Sequence, residues 1–253
     1  MSFHDFNTVS GLAVSRVCHE PARREVVVLA TERVGANNVS VTFGGDGLEG
    51  FVSLGFDDHI KFIFTDRAGE LVKREFTPRH FDVGRRELVL EFALHQGGAA
   101  SDWAERALPG TRAVIGGPKS SVIVPTAYAW HLLAGDPTAA PAIARRLGEL
   151  PATTRAIVHL LDPAGSGGRE FAGAVPREIV WHQSAAGFVA ALGALVLPEG
   201  PGFIWCAGEA GLMARLRDIF VVCHGHPRQA TRIAGYWKAD ETGFHETFER
   251  ALD

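Results

Sequence analysis

The first half of the chain alternates short apolar runs with turn residues. EVVVLATERV (25–34) and NVSVTF (38–43) are rich in β-branched residues and separated by Gly. HIKFIFTD (59–66), LVKREFTPRHF (71–81) and ELVLEFALH (87–95) follow at short spacing. Such a series predicts an antiparallel barrel or sandwich. One helix interrupts it, from Ser101 to Leu108, with Ser101 or Asp102 expected as N-cap and Pro109-Gly110 closing it. TRAVIGG (111–117) resumes the sheet. The second half alternates apolar strands with helices: AYAWHLLAGD (127–136), a helix over 138–150, TRAIVHLLD (154–162), EIVWHQ (178–183), a helix over 186–195, GFIWCAG (202–208) and a helix from Glu209 to about Val222. That alternation predicts βαβ units around a parallel sheet. The change of pattern falls at Pro118–Pro125, which divides the chain into residues 1–122 and 123–253.

The composition narrows the function classes. Of 253 residues 46% are hydrophobic and 21% charged, an ordinary globular balance. Acidic residues outnumber basic ones, for a net charge of −4, so a basic nucleic-acid module is not expected. No apolar run reaches membrane-spanning length and the first residues show no secretory pattern. Three scattered cysteines form no CxxC. The expectation is a soluble cytoplasmic protein, read as a monomer, with no nucleic-acid or membrane partner.

Several motifs compete for chemistry. Gly45-Asp46-Gly47-Leu48-Glu49-Gly50 is a literal GxGxxG, but a strand pattern follows it where a dinucleotide site needs a helix, so a turn is expected. Gly135-Asp136-Pro137-Thr138 joins the first strand of the α/β half to its first helix. It reads either as a phosphate-binding turn or as a plain turn with Asp136 or Thr138 as N-cap. Gly208-Glu209 forms a similar junction. His224-Gly225-His226 lacks a third ligand at diagnostic spacing, so no metal site is expected. His159 and His182 lie within apolar strand patterns and read as satisfied core residues. In the segment 73–80, Arg74, Phe76 and Thr77 combine a cation, an aromatic and a hydroxyl. That set suits a flat phosphorylated cofactor, or is a solvated strand face beside Pro78.

These residues carry a resemblance. Arg74-x-Phe76-Thr77-x-Arg79 resembles the flavin motif of the ferredoxin–NADP reductase superfamily. The ordered series Glu91–His95, Gly98–Ala104, Pro109-Gly110 and Gly116–Ser120 is similar to the siderophore-interacting proteins, flavin-dependent ferric-siderophore reductases. Leu133–Ile143, Ala207–Ala210 and Gly235–Lys238 continue the likeness, which spans roughly 25–240. Phe76 stands where Tyr is commoner, and Lys119 where Arg is frequent.

The resemblance implies an N-terminal FAD barrel and a C-terminal domain for NADH or NADPH. Phe76 would lie against the isoalloxazine ring, Thr77 near N5 and Arg74 on the pyrophosphate. His95 and the Gly98–Ser101 turn, with Ala100, would hold the rest of FAD. Gly135, Asp136, Thr138, Gly208 and Glu209 would line the nicotinamide-nucleotide cleft. Lys61 and Lys238, with Arg232 as a third candidate, would attract an anionic ferric siderophore at the mouth of the flavin cleft. Flavin turns a two-electron hydride into single electrons for Fe(III), so no protein acid, base or nucleophile is named as catalytic. Two alternatives stay open: a flavin reductase or diaphorase with another acceptor, and a flavin-bearing siderophore-binding protein without useful turnover. Asp162 favours a ribose hydroxyl and Arg169 a 2′-phosphate, so the choice of nucleotide is also left open at this level.

Overall fold

The computed structural model describes residues 11–94, 97–165, 169–239 and 246–247. It divides into two compact units. One is Ser15–Ile123 with Gly168–Glu170; the other is Met1–Val14, Val124–Gly167 and Phe171–Asp253.

The first unit contains β1 (Ser15–Cys18), β2 (Arg23–Val34), β3 (Asn38–Gly44), β4 (Ile60–Thr65), β5 (Leu71–Phe76), β6 (His80–Asp82), β7 (Glu87–Ala93), α1 (Ala99–Arg106), β8 (Arg112–Gly116) and β9 (Ser120–Ile123). Seven strands form an antiparallel sheet in the order β5-β4-β8-β2-β3-β7-β6. The run 71–81 is two strands rather than one, because it breaks at Thr77–Arg79, where Pro78 has no amide for the ladder. The sheet curls on itself. Phe76 on the edge strand β5 meets Phe92 near the opposite edge, with ring centroids 4.4 Å apart. The interior is largely aromatic: Phe62 lies 5.6 Å from Phe43 and 5.3 Å from Phe92. Trp103 of α1 closes the end of this core, 4.7 Å from Phe62 and edge-on to it, a favoured geometry for ring quadrupoles. Helix α1 therefore starts earlier than its polar residues suggest. Gly98 is the N-cap; Ser101 is buried inside the helix, and Asp102 bonds Arg67 and Arg106. β1 and β9 pair separately as a short antiparallel ribbon.

The second unit holds β10 (Trp130–Gly135), α2 (Ala140–Glu149), β11 (Arg155–Leu161), β12 (Arg177–His182), α3 (Ala185–Gly193), β13 (Gly202–Glu209), α4 (Ala210–Arg217), β14 (Thr231–Trp237) and β15 (Glu246–Thr247). Five strands run parallel in the order β12-β11-β10-β13-β14, and β15 adds antiparallel at the edge. Every residue of β10 is buried, as expected for a central strand covered on both faces. Helix α4 ends at Arg217, and a π-helical turn over Asp218–Cys223 follows. Among the described residues no helix is long and apolar enough to cross a membrane.

Candidate functional site

In the first unit, strand alternation sorts the flavin-motif residues. Val72, Arg74 and Phe76 share the half-buried face of β5, while Lys73 and Glu75 are exposed. Arg74 lies opposite Phe62, and Phe76 opposite Ile60. Phe76 thus rests on the aromatic core, 5.7 Å from Phe62. Thr77 is buried just past the strand end. The guanidinium of Arg74 donates to the Lys73 carbonyl at 2.8 Å and pairs with no carboxylate among the described residues. A half-buried cation without a protein anion beside it fits an external phosphate. A second feature fits one too: the N-cap of α1 is Gly98, whose own side chain supplies no acceptor for the amides of the first turn. Gly98, Ala100 and Ser101 all belong to this helix start. His95 lies outside the described residues. The donors here, a guanidinium, a hydroxyl and a helix N-terminus beside an aromatic, fit a flavin carrying phosphates.

The other arginine of the motif is committed within the protein. Arg79 Nε lies 3.3 Å from Glu91 Oε1, and Arg169 Nη1 lies 2.6 Å from Glu91 Oε2. Glu91 is 8% exposed. Arg169 comes from the polar loop after β11, yet it belongs to the barrel unit. No local pattern links it to Glu91, so sequence reasoning missed this cluster.

The literal GxGxxG is a turn. A short 3₁₀ segment, Asp46–Leu48, occupies it. Arg24 gathers its carbonyls, bonding Gly47 O at 2.9 Å and Gly50 O at 3.0 Å. Carbonyls turned to a cation cannot also cradle a phosphate.

In the second unit, Asp136 ties three strand ends together. Its Oδ1 accepts from the Thr138 amide at 2.9 Å and the Thr138 hydroxyl at 2.5 Å. Its Oδ2 accepts from the Glu209 amide at 2.9 Å and from Trp237 Nε1 at 2.8 Å. Burial pushes this carboxyl above its ordinary range, and the four bonds pull it back. Gly208 sits against the cluster at φ +149°, where a Cβ would fall 2.5 Å from Asp136 Oδ2. At Gly135 a Cβ would fall 2.2 Å from the Ala207 carbonyl oxygen. Glu209 caps α4 by accepting from the Leu212 amide at 2.7 Å. The structure therefore brings Gly135, Asp136, Thr138, Gly208 and Glu209 into one bonded cluster. Trp237, which sequence reasoning placed only in a family motif, is part of it. The cluster lies at the carboxyl ends of β10 and β13, where chain order reverses across the sheet. Nucleotides bind at that place in folds of this kind.

Of the three candidate substrate cations, Lys61 belongs to the first unit and Arg232 and Lys238 to the second. Lys61 is exposed on β4, opposite Glu75. Lys238 is exposed just beyond the carboxyl end of β14. Arg232 is buried near the amino end of the same strand, about 20 Å from Lys238 at roughly 3.3 Å per residue.

The histidines singled out in the second unit contact neighbouring side chains. His159 Nδ1 and His182 Nε2 are 2.9 Å apart. His226 bonds the Thr231 hydroxyl at 2.8 Å, and His224 stacks on Phe220. No group of three or more metal-ligating side chains occurs among the described residues.

Comparison with known proteins completes the picture. The siderophore-interacting protein family matches residues 128–240, and the siderophore-interacting FAD-binding domain matches residues 65–122. An NADPH-dependent ferric-chelate reductase of Escherichia coli is 32% identical over 247 residues, covering 88% of this chain and 96% of that protein. A ferric vibriobactin reductase of Vibrio cholerae is 25% identical, covering 87% and 92%. The crystal structure of a siderophore utilization protein from T. fusca superposes with a TM-score of 0.85 at 26% identity, covering 91% of this chain and 98% of that one. With an aromatic-cored antiparallel barrel, a parallel nucleotide-binding sheet and these full-length relatives, the chain belongs to the siderophore-interacting protein family.

Proposed function

We propose that this protein is an FAD-dependent ferric-siderophore reductase that draws electrons from NADH or NADPH and releases Fe(II) from the siderophore. The observation that carries the reading is Arg74: a guanidinium on the half-buried face of β5, beside Phe76 and Thr77, with no carboxylate partner among the described residues. We assign FAD to residues 1–122 and the nicotinamide nucleotide to residues 123–253. Bound FAD would supply the conversion of a two-electron hydride into single electrons for Fe(III). The chain's own part is positioning and charge. Phe76 would support the flavin ring, Thr77 would donate to its reactive edge, and Arg74 would hold pyrophosphate. Gly98, Ala100 and Ser101 would present the start of α1 to phosphate. His95 is assigned to the same cofactor. The Asp136 cluster would shape the nucleotide site, with Gly135, Thr138, Gly208 and Glu209. We read the protein as a monomer working in the cytoplasm.

Arg74→Ala should weaken FAD binding roughly 10- to 100-fold, because a charge-assisted phosphate contact is worth about 1.5–3 kcal/mol. Thr77→Ala should slow flavin reduction and leave FAD affinity nearly unchanged. Equilibrium titration of the apoprotein with FAD checks the first, and rapid-mixing kinetics the second. An Arg74→Ala protein that holds FAD as tightly as wild type, or a wild type that purifies with FMN, sinks the barrel assignment.

The acidic protein needs local positive charge to meet an anionic ferric complex. Lys61→Ala and Lys238→Ala should each raise KM for such a complex, with flavin bleaching by NADH or NADPH unchanged. The effect should shrink in high salt, since the Debye length is about 3 Å at 1 M. Kinetics indifferent to both lysines at low salt would remove them from the docking site. The buried Arg232 is the weakest of the three candidates.

A further inference from the structure

We infer that Trp237 is the stacking platform for the nicotinamide ring, and that its exposed face binds the oxidised, cationic ring more tightly than the reduced, neutral one. The inference rests on the nucleotide assignment above and adds the residue that holds the reacting ring.

The order of the sheet divides the second unit at β10, with β11 and β12 on one side and β13 and β14 on the other. Sheets of this kind bind a dinucleotide across the crevice at the carboxyl ends of the strands, one mononucleotide to each half. The adenosine ribose lies by the end of the second strand, here β11, so the nicotinamide falls to the half formed by β13 and β14. Of the five tryptophans, Trp103, Trp130 and Trp205 are buried, and Trp181 lies on β12 in the other half. Trp237 is the last residue of β14 and is 42% exposed.

Two features hold that ring in place. β13 and β14 run in register as far as Gly208 and Gly235; then Glu209 pairs with Trp237, and Tyr236 is left over. Such a bulge re-aims a side chain and recurs beside active sites. The indole N–H donates to Asp136 Oδ2 at 2.8 Å, the oxygen that also accepts from the Glu209 amide. Asp136 is itself held through Thr138, so it anchors one edge of the indole firmly. A rigid aromatic with one edge anchored and much of its surface exposed loses little freedom when a second ring stacks on it. Donation to a carboxyl oxygen also polarises the indole and leaves its face richer in electrons.

The chemistry of the donor sets the preference. When the nicotinamide gives up hydride, its C4–H bond breaks and the electron pair leaves with the hydrogen for the flavin assigned above. The ring left behind is a pyridinium with a positive charge, and no proton is exchanged. A cation over the face of Trp is attracted by the ring quadrupole, whereas the neutral dihydro ring gains only stacking. Holding the product ring more tightly than the reactant ring draws the hydride step forward.

The test uses the FAD-loaded, oxidised protein. NAD⁺ and NADP⁺ are titrated by calorimetry against their tetrahydro forms, neutral mimics that give no hydride. Trp237→Gln keeps an N–H donor for Asp136 and removes the ring face; Trp237→Phe keeps a ring face and removes the donor. Trp237→Gln should lower the oxidised-to-neutral affinity ratio roughly three- to thirtyfold, and Trp237→Phe should keep it within about threefold of wild type. 5′-ADP and 2′,5′-ADP, which lack the nicotinamide, should bind Trp237→Gln as they bind wild type. In wild type the oxidised nucleotide should also raise the charge-transfer absorbance of a pyridinium over indole, and the tetrahydro form should not. Absence of that absorbance overturns the inference even where a variant fails to fold. A Trp237→Gln protein of native melting temperature with an unchanged ratio, or one that loses the ADPs and both nucleotide forms alike, assigns Trp237 to the fold alone. Either result overturns the inference and leaves the reductase reading intact. If wild type binds neither the nucleotides nor the ADPs, the nucleotide assignment itself falls, and the inference with it.

Discussion

Replacing Asp136 by Ala is expected to destabilise the α/β unit by about 4 kcal/mol and to raise KM for the nicotinamide nucleotide. The substitution removes one acceptor group and strands four donors: the Thr138 amide and hydroxyl, the Glu209 amide and the Trp237 indole N–H. Leaving a buried donor unpaired costs about 1–3 kcal/mol. The Thr138 hydroxyl can turn elsewhere, so the sum falls short of four full penalties. Asp136→Asn keeps the shape but points an NH₂ at one of the two donor pairs, and should cost about half as much. The effect on the nucleotide follows from geometry. Asp136 joins the ends of β10, β13 and β14, and Gly208 packs on its carboxylate. Urea unfolding of both variants checks the energies. An Asp136→Ala protein within about 1 kcal/mol of wild type would show that the cluster does not hold the strand ends together.

Acid should unfold this protein earlier than its carboxylates alone would. Burial lowers His131 to about 3, and His159 and His226 to about 4, against 6.5 for exposed imidazole. His131 is fully buried, and neither ring nitrogen has a hydrogen-bond partner. The folded state keeps these rings neutral while the unfolded chain protonates them below pH 6.5. Stability is therefore unaffected by them above pH 6.5 and falls as pH drops toward 4. At pH 5 each ring contributes a loss of about 2 kcal/mol, or about 6 kcal/mol for the three. That is comparable to the whole stability of an ordinary domain, about 5–15 kcal/mol. Asp58 and Asp136, raised by burial, act in the opposite direction, because protonation in the fold relieves them. They are outnumbered by the histidines. His131→Leu loses no hydrogen bond and should recover about 2 kcal/mol at pH 5 relative to pH 7.5. Unfolding free energies at the two pH values decide it; an unchanged difference in His131→Leu would exclude His131 as a source of acid lability.

Much of the architecture was legible because it is local. Period-two alternation in the segment 71–76 placed Arg74 and Phe76 on one face, and the strand–helix alternation after Pro125 marked a parallel sheet. What stayed hidden depends on pairing across the chain. The ribbon of β1 with β9 joins two four-residue strands, and every residue of SRVC is exposed, so no apolar pattern announced it. Asp136 reads locally as a cap for the next helix; its bond to Trp237 spans 101 residues. Arg169 sits in a Gly-rich loop and reads from the sequence as a cation for a 2′-phosphate, and only the fold shows Glu91 against it. The start of α1 was misplaced because Ser101 and Asp102 have the side chains of an N-cap, whereas packing of Ala99 and Ala100 on the barrel core extends the helix back to Gly98.

The central claim is electron transfer from a nicotinamide nucleotide through bound FAD to siderophore iron. One measurement tests it most directly. The FAD-loaded protein is mixed anaerobically with NADH or NADPH until the flavin bleaches, and then with a ferric siderophore and an Fe(II) chelator. The account predicts bleaching by at least one nucleotide, return of the oxidised flavin colour on adding the ferric complex, and two Fe(II) trapped for each nucleotide oxidised. A flavin that neither nucleotide bleaches, or a reduced flavin that a panel of ferric siderophores leaves bleached, would contradict it.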